Sequence, residues 1–211
     1  MNNYYVQNIP IKSLSINGKA NADAWKQANV LIDFQSPWDS GPIAPIKFRA
    51  LYDAENFYFS FCVLDTEVYT DTSANKDQNI GNSDRVELFF RSDASLNPYY
   101  CLEIDTTARI MDFEARPGKN FDFDWNWPIQ HINVQSSIQN TCFVVEGTIS
   151  LNSLRDLNLL KENKIEIGVF RAKYNKNGQG EFTPTWIAWV DPKTEDPNFH
   201  ISSSFGVFHL E

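Results

Sequence analysis

Short apolar or alternating runs recur along this chain, separated by residues that favour turns. Residues 46–52 and 57–64 are rich in aromatic and β-branched side chains, and Asp53-Ala-Glu-Asn56 lies between them. Side chains of these types fit the pleated surface of a strand, while Asp and Asn favour tight turns. The pattern predicts a β-hairpin formed by residues 46–52 and 57–64.

A second pair of strands is predicted in the middle of the chain. Residues 85–90 alternate Val86, Leu88 and Phe90 with Arg85, Glu87 and Phe89. Period-two alternation indicates a strand whose two faces differ. We expect residues 99–105 to pair with 109–114 through a turn at 106–108. Further strands are predicted at 131–138, 142–150, 165–174, 185–190 and 205–210, with a Gly/Asn-rich hairpin tip at 175–180.

Only two segments have helical character. Residues 22–29 are short, and residues 153–162 carry Leu154, Leu157 and Leu160 at helical spacing. About ten short strands with turns between them are typical of a sandwich. We therefore expect an all-β fold, an antiparallel β-sandwich of jelly-roll type with one or two short helices. The irregular stretch 37–45 is too short to separate domains, so residues 1–211 are expected to form a single domain.

Composition narrows the classes of partner. The chain has 211 residues, a formal net charge of −9 and 14% aromatic residues. A surplus of negative charge disfavours binding to nucleic acid or to an anionic membrane, and no stretch approaches the length of a membrane span. Cys62, Cys101 and Cys142 lie far apart within predicted strands, which favours free buried thiols over disulfides or zinc. No signal peptide is evident in residues 1–20, so either the protein stays inside the cell or a leader has been removed.

Four motifs resemble the family 9 carbohydrate-binding modules and their relatives. They are Ile16-Asn-Gly with Asp23-Ala-Trp25, the strand–turn–strand segment 49–59, Asp84-Arg-Val-Glu87, and the ending Phe199-His200 with Phe205-Gly206. Together they extend from about Ile16 to Leu210.

The resemblance implies roles for individual residues. Trp25 would close one end of the sandwich, and Glu87 would hydrogen-bond sugar hydroxyls. The family's aromatic clamp would have Phe199 as one half, although Gly81 stands where the other half carries tryptophan. The family also implies a structural calcium ion, for which the loops 71–77 and 191–196 offer oxygen donors, and otherwise no cofactor. A secreted or periplasmic bacterial module accompanying polysaccharide degradation, such as a xylanase-associated one, is the implied setting.

The remaining candidates come from residue chemistry. His200 lies beside Phe199 on the predicted binding loop and is a candidate hydrogen-bond donor to a ligand. Trp125 and Trp127 alternate with polar residues, and form either an exposed stacking platform or a cover over the core. Arg116 and Arg171 offer planar forks of N–H groups, either to a sugar or to neighbouring carboxylates.

Glu103 lies on a strand expected close to Glu87, and Asp105, Asp112 and Glu114 are expected nearby. Glycoside hydrolysis needs two carboxylates across a cleft, yet 27 acidic residues make some such pairs inevitable. The sequence offers no nucleophile motif.

We therefore expect non-catalytic binding of a mono- or oligosaccharide, through Phe199, Glu87 and neighbouring side chains. Two alternatives remain: an interaction domain that kept the sandwich and lost the sugar site, and a glycoside hydrolase. The sugar and the oligomeric state are left open.

Overall fold

The computed structural model describes residues 2–73 and 76–211, with the side chains of residues 76–78 left out. Within these residues strands are the main secondary structure, and helices are few and short. The strands are β1 Asn3–Asn8, β2 Ile46–Tyr52, β3 Asn56–Leu64, β4 Arg85–Arg91, β5 Tyr99–Asp105, β6 Ile110–Arg116, β7 Asn120–Asp122, β8 Ile132–Ile138, β9 Cys142–Ser150, β10 Leu160–Lys161, β11 Lys164–Lys176, β12 Phe182–Ala188 and β13 Gly206–Leu210. The two α-helices are α1 Lys76–Gly81 and α2 Leu151–Asp156, and single 3₁₀ turns lie at Asp23–Gln27, Ile129–His131 and Ser202–Ser204.

The strands form two sheets that share β1. Sheet 1 has the order β7-β6-β5-β4-β11-β13-β1, with β10 and β12 also pairing with β11. Sheet 2 has the order β1-β2-β3-β9-β8. The first part of β1 runs parallel to β13 and its end runs parallel to β2, whereas every other pairing in the described residues is antiparallel. The prediction of an all-β sandwich with few helices is confirmed, with two parallel pairings at the shared strand.

The main core fills the space between the two sheets. Phe57, Phe59 and Phe61 of β3 and Leu88 and Phe90 of β4 are fully buried there. Burying one such side chain stabilises the fold by about 1.5–3 kcal/mol. The alternation that predicted two faces for β4 therefore directs one of them into the core.

Irregular segments cover the outer faces of both sheets. On sheet 2, Trp25 is buried and its Nε1 donates to Glu146 Oε1 at 2.7 Å. The other Glu146 oxygen accepts the backbone N–H groups of Asn17 and Gly18 at 2.9 and 2.8 Å. On sheet 1, the segment after β12 folds back over the sheet and buries Phe199 and Phe205. This second covering segment shapes the candidate site.

The predicted hairpins are confirmed, and one predicted helix is shorter than expected. Segment 46–52 pairs with 57–64, and β5 pairs with β6. The helix predicted for residues 153–162 ends at Asp156, because Asn158 adopts a left-handed backbone with φ of 59° and the chain then enters β10. The three cysteines are free. No helix among the described residues is long and apolar enough to span a bilayer.

Candidate functional site

Two glutamates face each other on the outer side of sheet 1. In the antiparallel β4–β5 pair, Glu87 lies directly opposite Glu103. Since side chains alternate along a strand, both point away from the core that Leu88 and Leu102 enter. Like charges placed directly opposite are destabilising, so this arrangement needs a counter-charge.

Arg85 supplies that charge. Its Nε lies 2.9 Å from Glu87 Oε1 and 2.6 Å from Glu103 Oε2. The three side chains are almost completely buried, with Glu87 1% exposed and Glu103 5% exposed. The distances are those of ion pairs, but the N–H is not aligned on either oxygen. No described residue makes a hydrogen bond with Arg85 Nε, Glu87 Oε1 or Glu103 Oε2. We call these three residues the carboxylate–arginine triad.

Burial sets the protonation of the triad. Burial, together with the negative charge of Glu103, raises the pKa of Glu87 to about 8 against the opposing effect of Arg85. Burial also raises the pKa of Glu103, which Arg85 opposes. Burial alone would lower the pKa of Arg85, but Glu103 and Glu87 together raise it. Below about pH 8 one carboxyl therefore holds a proton, and the triad is close to neutral.

Aromatic rings border the triad on the β11–β12 side. Phe199 is 5% exposed and stacks on Phe170 with ring centroids 4.1 Å apart. Phe170 is the direct neighbour of Glu87 across the β4–β11 pair. Trp186 is partly exposed, meets Phe199 edge-on at 5.7 Å, and lies 5.4 Å from the Arg85 guanidinium carbon. A cavity of about 180 Å³ opens here, lined by Lys119, Trp186, Pro197, Asn198, Phe199 and His200.

His200 forms part of the same cavity. Its Nδ1 lies 3.0 Å from the Tyr99 hydroxyl, and its ring stacks on Phe89 at 5.0 Å. Burial lowers the pKa of His200 to about 3, with the positive charges of Lys119 and Arg85 adding to the effect. The imidazole is therefore neutral near pH 7, with one nitrogen held by Tyr99.

The structure brings four of the predicted site residues to this face: Glu87, Glu103, Phe199 and His200. Arg171 projects from the opposite side of β11, where Nη2 donates to Asp65 Oδ2 at 2.5 Å. Arg116 pairs with Glu114.

The two tryptophans that precede Pro128 pack inwards. Trp127 is buried in the main core and its Nε1 donates to Ser153 at 3.1 Å. Trp125 packs on Tyr100 with ring centroids 4.8 Å apart. Of the two interpretations offered by the sequence, this geometry favours the cover over the core.

One family matches most of the chain. The model for the carbohydrate family 9 binding domain-like proteins aligns with residues 16–211. The chain belongs to this family. No curated protein matches the sequence.

Solved structures share the fold of this family 9-like domain. A protein from Bacteroides uniformis proposed to bind carbohydrate superposes with a TM-score of 0.75 at 14% identity, covering 99% of both chains. A family 9 carbohydrate-binding module from Caldicellulosiruptor kristjanssonii superposes with a TM-score of 0.67 at 16% identity in its glucose complex, covering 100% of this chain and 96% of that one. Its cellotriose complex gives the same TM-score and identity, with 94% of that chain covered.

Sequence reasoning did not single out Trp186 in this family 9-like domain. Trp186 pairs with Ala172 across β11 and β12, and so lies on the same face as Phe170 and the triad. The alternation of Trp186 and Ala188 against Ile187 contained this information, because Ile187 is buried in the main core. The family motifs drew attention to the later loop instead.

Gly81 is the position where the resemblance implies a clamp tryptophan. Its carbonyl accepts from Arg85 Nη1 at 2.7 Å and from the Tyr174 hydroxyl at 2.5 Å. A Cβ added at Gly81 would meet no atom within 4 Å. The structure therefore leaves open space beside the triad at this point.

The calcium ion implied by the family stays a prediction. The described residues contain no group of three or more His, Cys, Asp or Glu side chains placed to hold a metal ion. Of the two proposed loops, 71–77 includes residues 74 and 75, which lie outside the described part. In the other loop, Asp191 forms an ion pair with Lys193 at 2.6 Å.

Proposed function

We propose that this family 9-like domain binds a neutral sugar on the outer face of sheet 1, in a non-catalytic role. The observation that carries the proposal is the placement of the partly exposed Trp186 ring beside three buried polar atoms that lack hydrogen bonds. An aromatic ring offers apolar area to the C–H face of a sugar, and unsatisfied polar atoms offer hydrogen bonds to its hydroxyls. Trp186 lines the cavity of about 180 Å³, and the guanidinium carbon of Arg85 lies 5.4 Å from its ring.

The charge of the site favours a neutral ligand. With one proton shared between Glu87 and Glu103, the triad has no net charge and contains both donors and acceptors. Hydroxyl groups can satisfy both, because each one donates and accepts. His200 contributes a neutral ring near pH 7, consistent with its lowered pKa.

The size of the site favours a single sugar ring. The cavity of about 180 Å³ is smaller than the roughly 300–1,000 Å³ typical of pockets for drug-sized ligands. The structural neighbour from Caldicellulosiruptor kristjanssonii was solved with glucose and with cellotriose. We propose glucose-type rings as the first ligands to test, and we place the domain with polysaccharide degradation as part of the same proposal.

The proposal is tested by titrating glucose and cellotriose into the protein and into Trp186→Ala, followed by calorimetry and tryptophan fluorescence. Loss of one aromatic contact, worth about 1 kcal/mol, should weaken binding about fivefold. Tyr5→Ala is the matched control, since Tyr5 is 47% exposed on β1, three strands away from β4 in sheet 1. No binding of either sugar at millimolar concentration, or equal binding by all three proteins, would overturn the proposal.

A further inference from the structure

A larger cavity lies at one end of the sandwich, apart from the triad. It has a volume of about 470 Å³ and opens where β3 leaves sheet 2, between the loop before β2 and the end of β11. Its lining includes Ala44, Thr66, Thr141, Arg171, Lys173 and Thr185. We call it the end cavity.

The end cavity and the triad occupy opposite sides of the same strand. Phe170 and Ala172 of β11 lie directly opposite Glu87 and Arg85 of the triad, whereas Arg171 and Lys173 face the end cavity. Since alternate residues of a strand point to opposite faces, β11 separates the two sites. A ligand in one therefore leaves the other free.

Arg171 provides the reason to expect a ligand in the end cavity. This side chain is 1% exposed, and its Nη2 donates to Asp65 at 2.5 Å. No described residue accepts a hydrogen bond from its Nε or its Nη1. Buried donors without acceptors are costly, because the unfolded chain satisfies them with water. A ligand with oxygen acceptors would accept the hydrogen bonds that these two nitrogens of Arg171 do not make with any described residue.

The charges around the cavity indicate that this ligand is neutral. Asp65 forms ion pairs with both Arg171 and Lys173, at 2.5 and 3.0 Å. Lys173 also pairs with Asp84 at 2.9 Å. Because both cations already face carboxylates, an anionic ligand finds no unpaired positive charge.

The rest of the lining suits a molecule with many hydroxyls. Thr66, Thr141 and Thr185 bring hydroxyl groups, each able to donate and to accept. Ile43 and Ile187 add apolar walls for C–H groups. We propose that the end cavity is a second, independent binding site for a neutral sugar of about disaccharide size, since its volume is more than twice the 180 Å³ of the first cavity. This proposal does not depend on sugar binding at the triad.

The test separates the two sites by substitution. Ala44→Trp fills the mouth of the end cavity from an exposed position, so folding should be preserved. Ala54→Trp is the matched control, because Ala54 is exposed in the turn at the far end of β2. Trp186→Ala removes the aromatic wall of the first site. Cellobiose, maltose and xylobiose are titrated into each protein while backbone amide NMR signals are followed.

With the Trp186→Ala protein, at least one disaccharide should shift the amide signals of Thr66, Thr141 and Thr185 in a saturable way. Ala44→Trp should weaken this response about tenfold or more, and Ala54→Trp should leave it unchanged. The inference is overturned if none of the three sugars shifts these signals, or if Ala44→Trp responds like its control. Signals that respond only near Trp186 would leave the proposed function standing and remove the second site. Signals that respond only at the end cavity would support the second site and contradict the proposed function.

Discussion

Replacing Glu87 by glutamine should change how stability depends on pH. The folded protein raises the pKa of Glu87 to about 8 from an ordinary value of 4.5. Between these values the unfolded chain gives up the proton while the folded chain retains it. The free energy of unfolding of the wild type should therefore fall as pH rises, by up to about 1.4 kcal/mol per pH unit from this group. Over the whole interval the loss is at most about 5 kcal/mol.

Glu87→Gln removes this ionisation and leaves Arg85 paired with Glu103. The variant should match the wild type below about pH 4.5 and become the more stable protein as pH rises towards about 8. The assay is urea unfolding at about pH 5, 7 and 9, with free energies extrapolated to water. Glu55→Gln is the control, since Glu55 is exposed in the β2–β3 turn. If the stability difference between Glu87→Gln and wild type does not change with pH, the burial argument for the triad is wrong.

Two further substitutions test other parts of the account. Gly81→Trp adds an indole in open space beside Arg85 and should tighten glucose binding about fivefold in calorimetry. Gly178→Trp, which also meets open space, is the control and should leave the affinity unchanged. Equal affinities of the two variants for glucose would contradict the assigned site. Glu146→Gln weakens the buried acceptor that binds Trp25 and the segment before it. The free energy of unfolding should fall by about 2–4 kcal/mol, and an unchanged value would contradict this role of Glu146.

Much of the fold follows from local patterns. The hairpin of β2 and β3 and the pair of β5 and β6 were predictable because each combines strand periodicity with a recognisable turn. Strand β1 was not predicted, since it is only six residues long and half of these are Asn or Gln. Its pairing with β13 joins the two ends of the chain, and no local signal encodes such a contact.

The candidate site was predictable in part. The motif around Glu87 and the late loop with Phe199 indicated residues that the structure brings to one face, the outer side of sheet 1. The sequence did not reveal that Phe199 stacks on Phe170 and is largely covered, because that contact depends on how the loop folds back. Trp186 is a partly exposed ring on this face, and it lies beside Arg85. The placement of Arg85 between Glu87 and Glu103 likewise arises from tertiary geometry.

The most direct test of the central claim is a crystal structure of the protein soaked with glucose. The account predicts one sugar ring in the cavity beside Trp186, with hydroxyls within hydrogen-bond distance of the carboxylate–arginine triad. Glucose bound elsewhere on the molecule, with this face left empty, would contradict it.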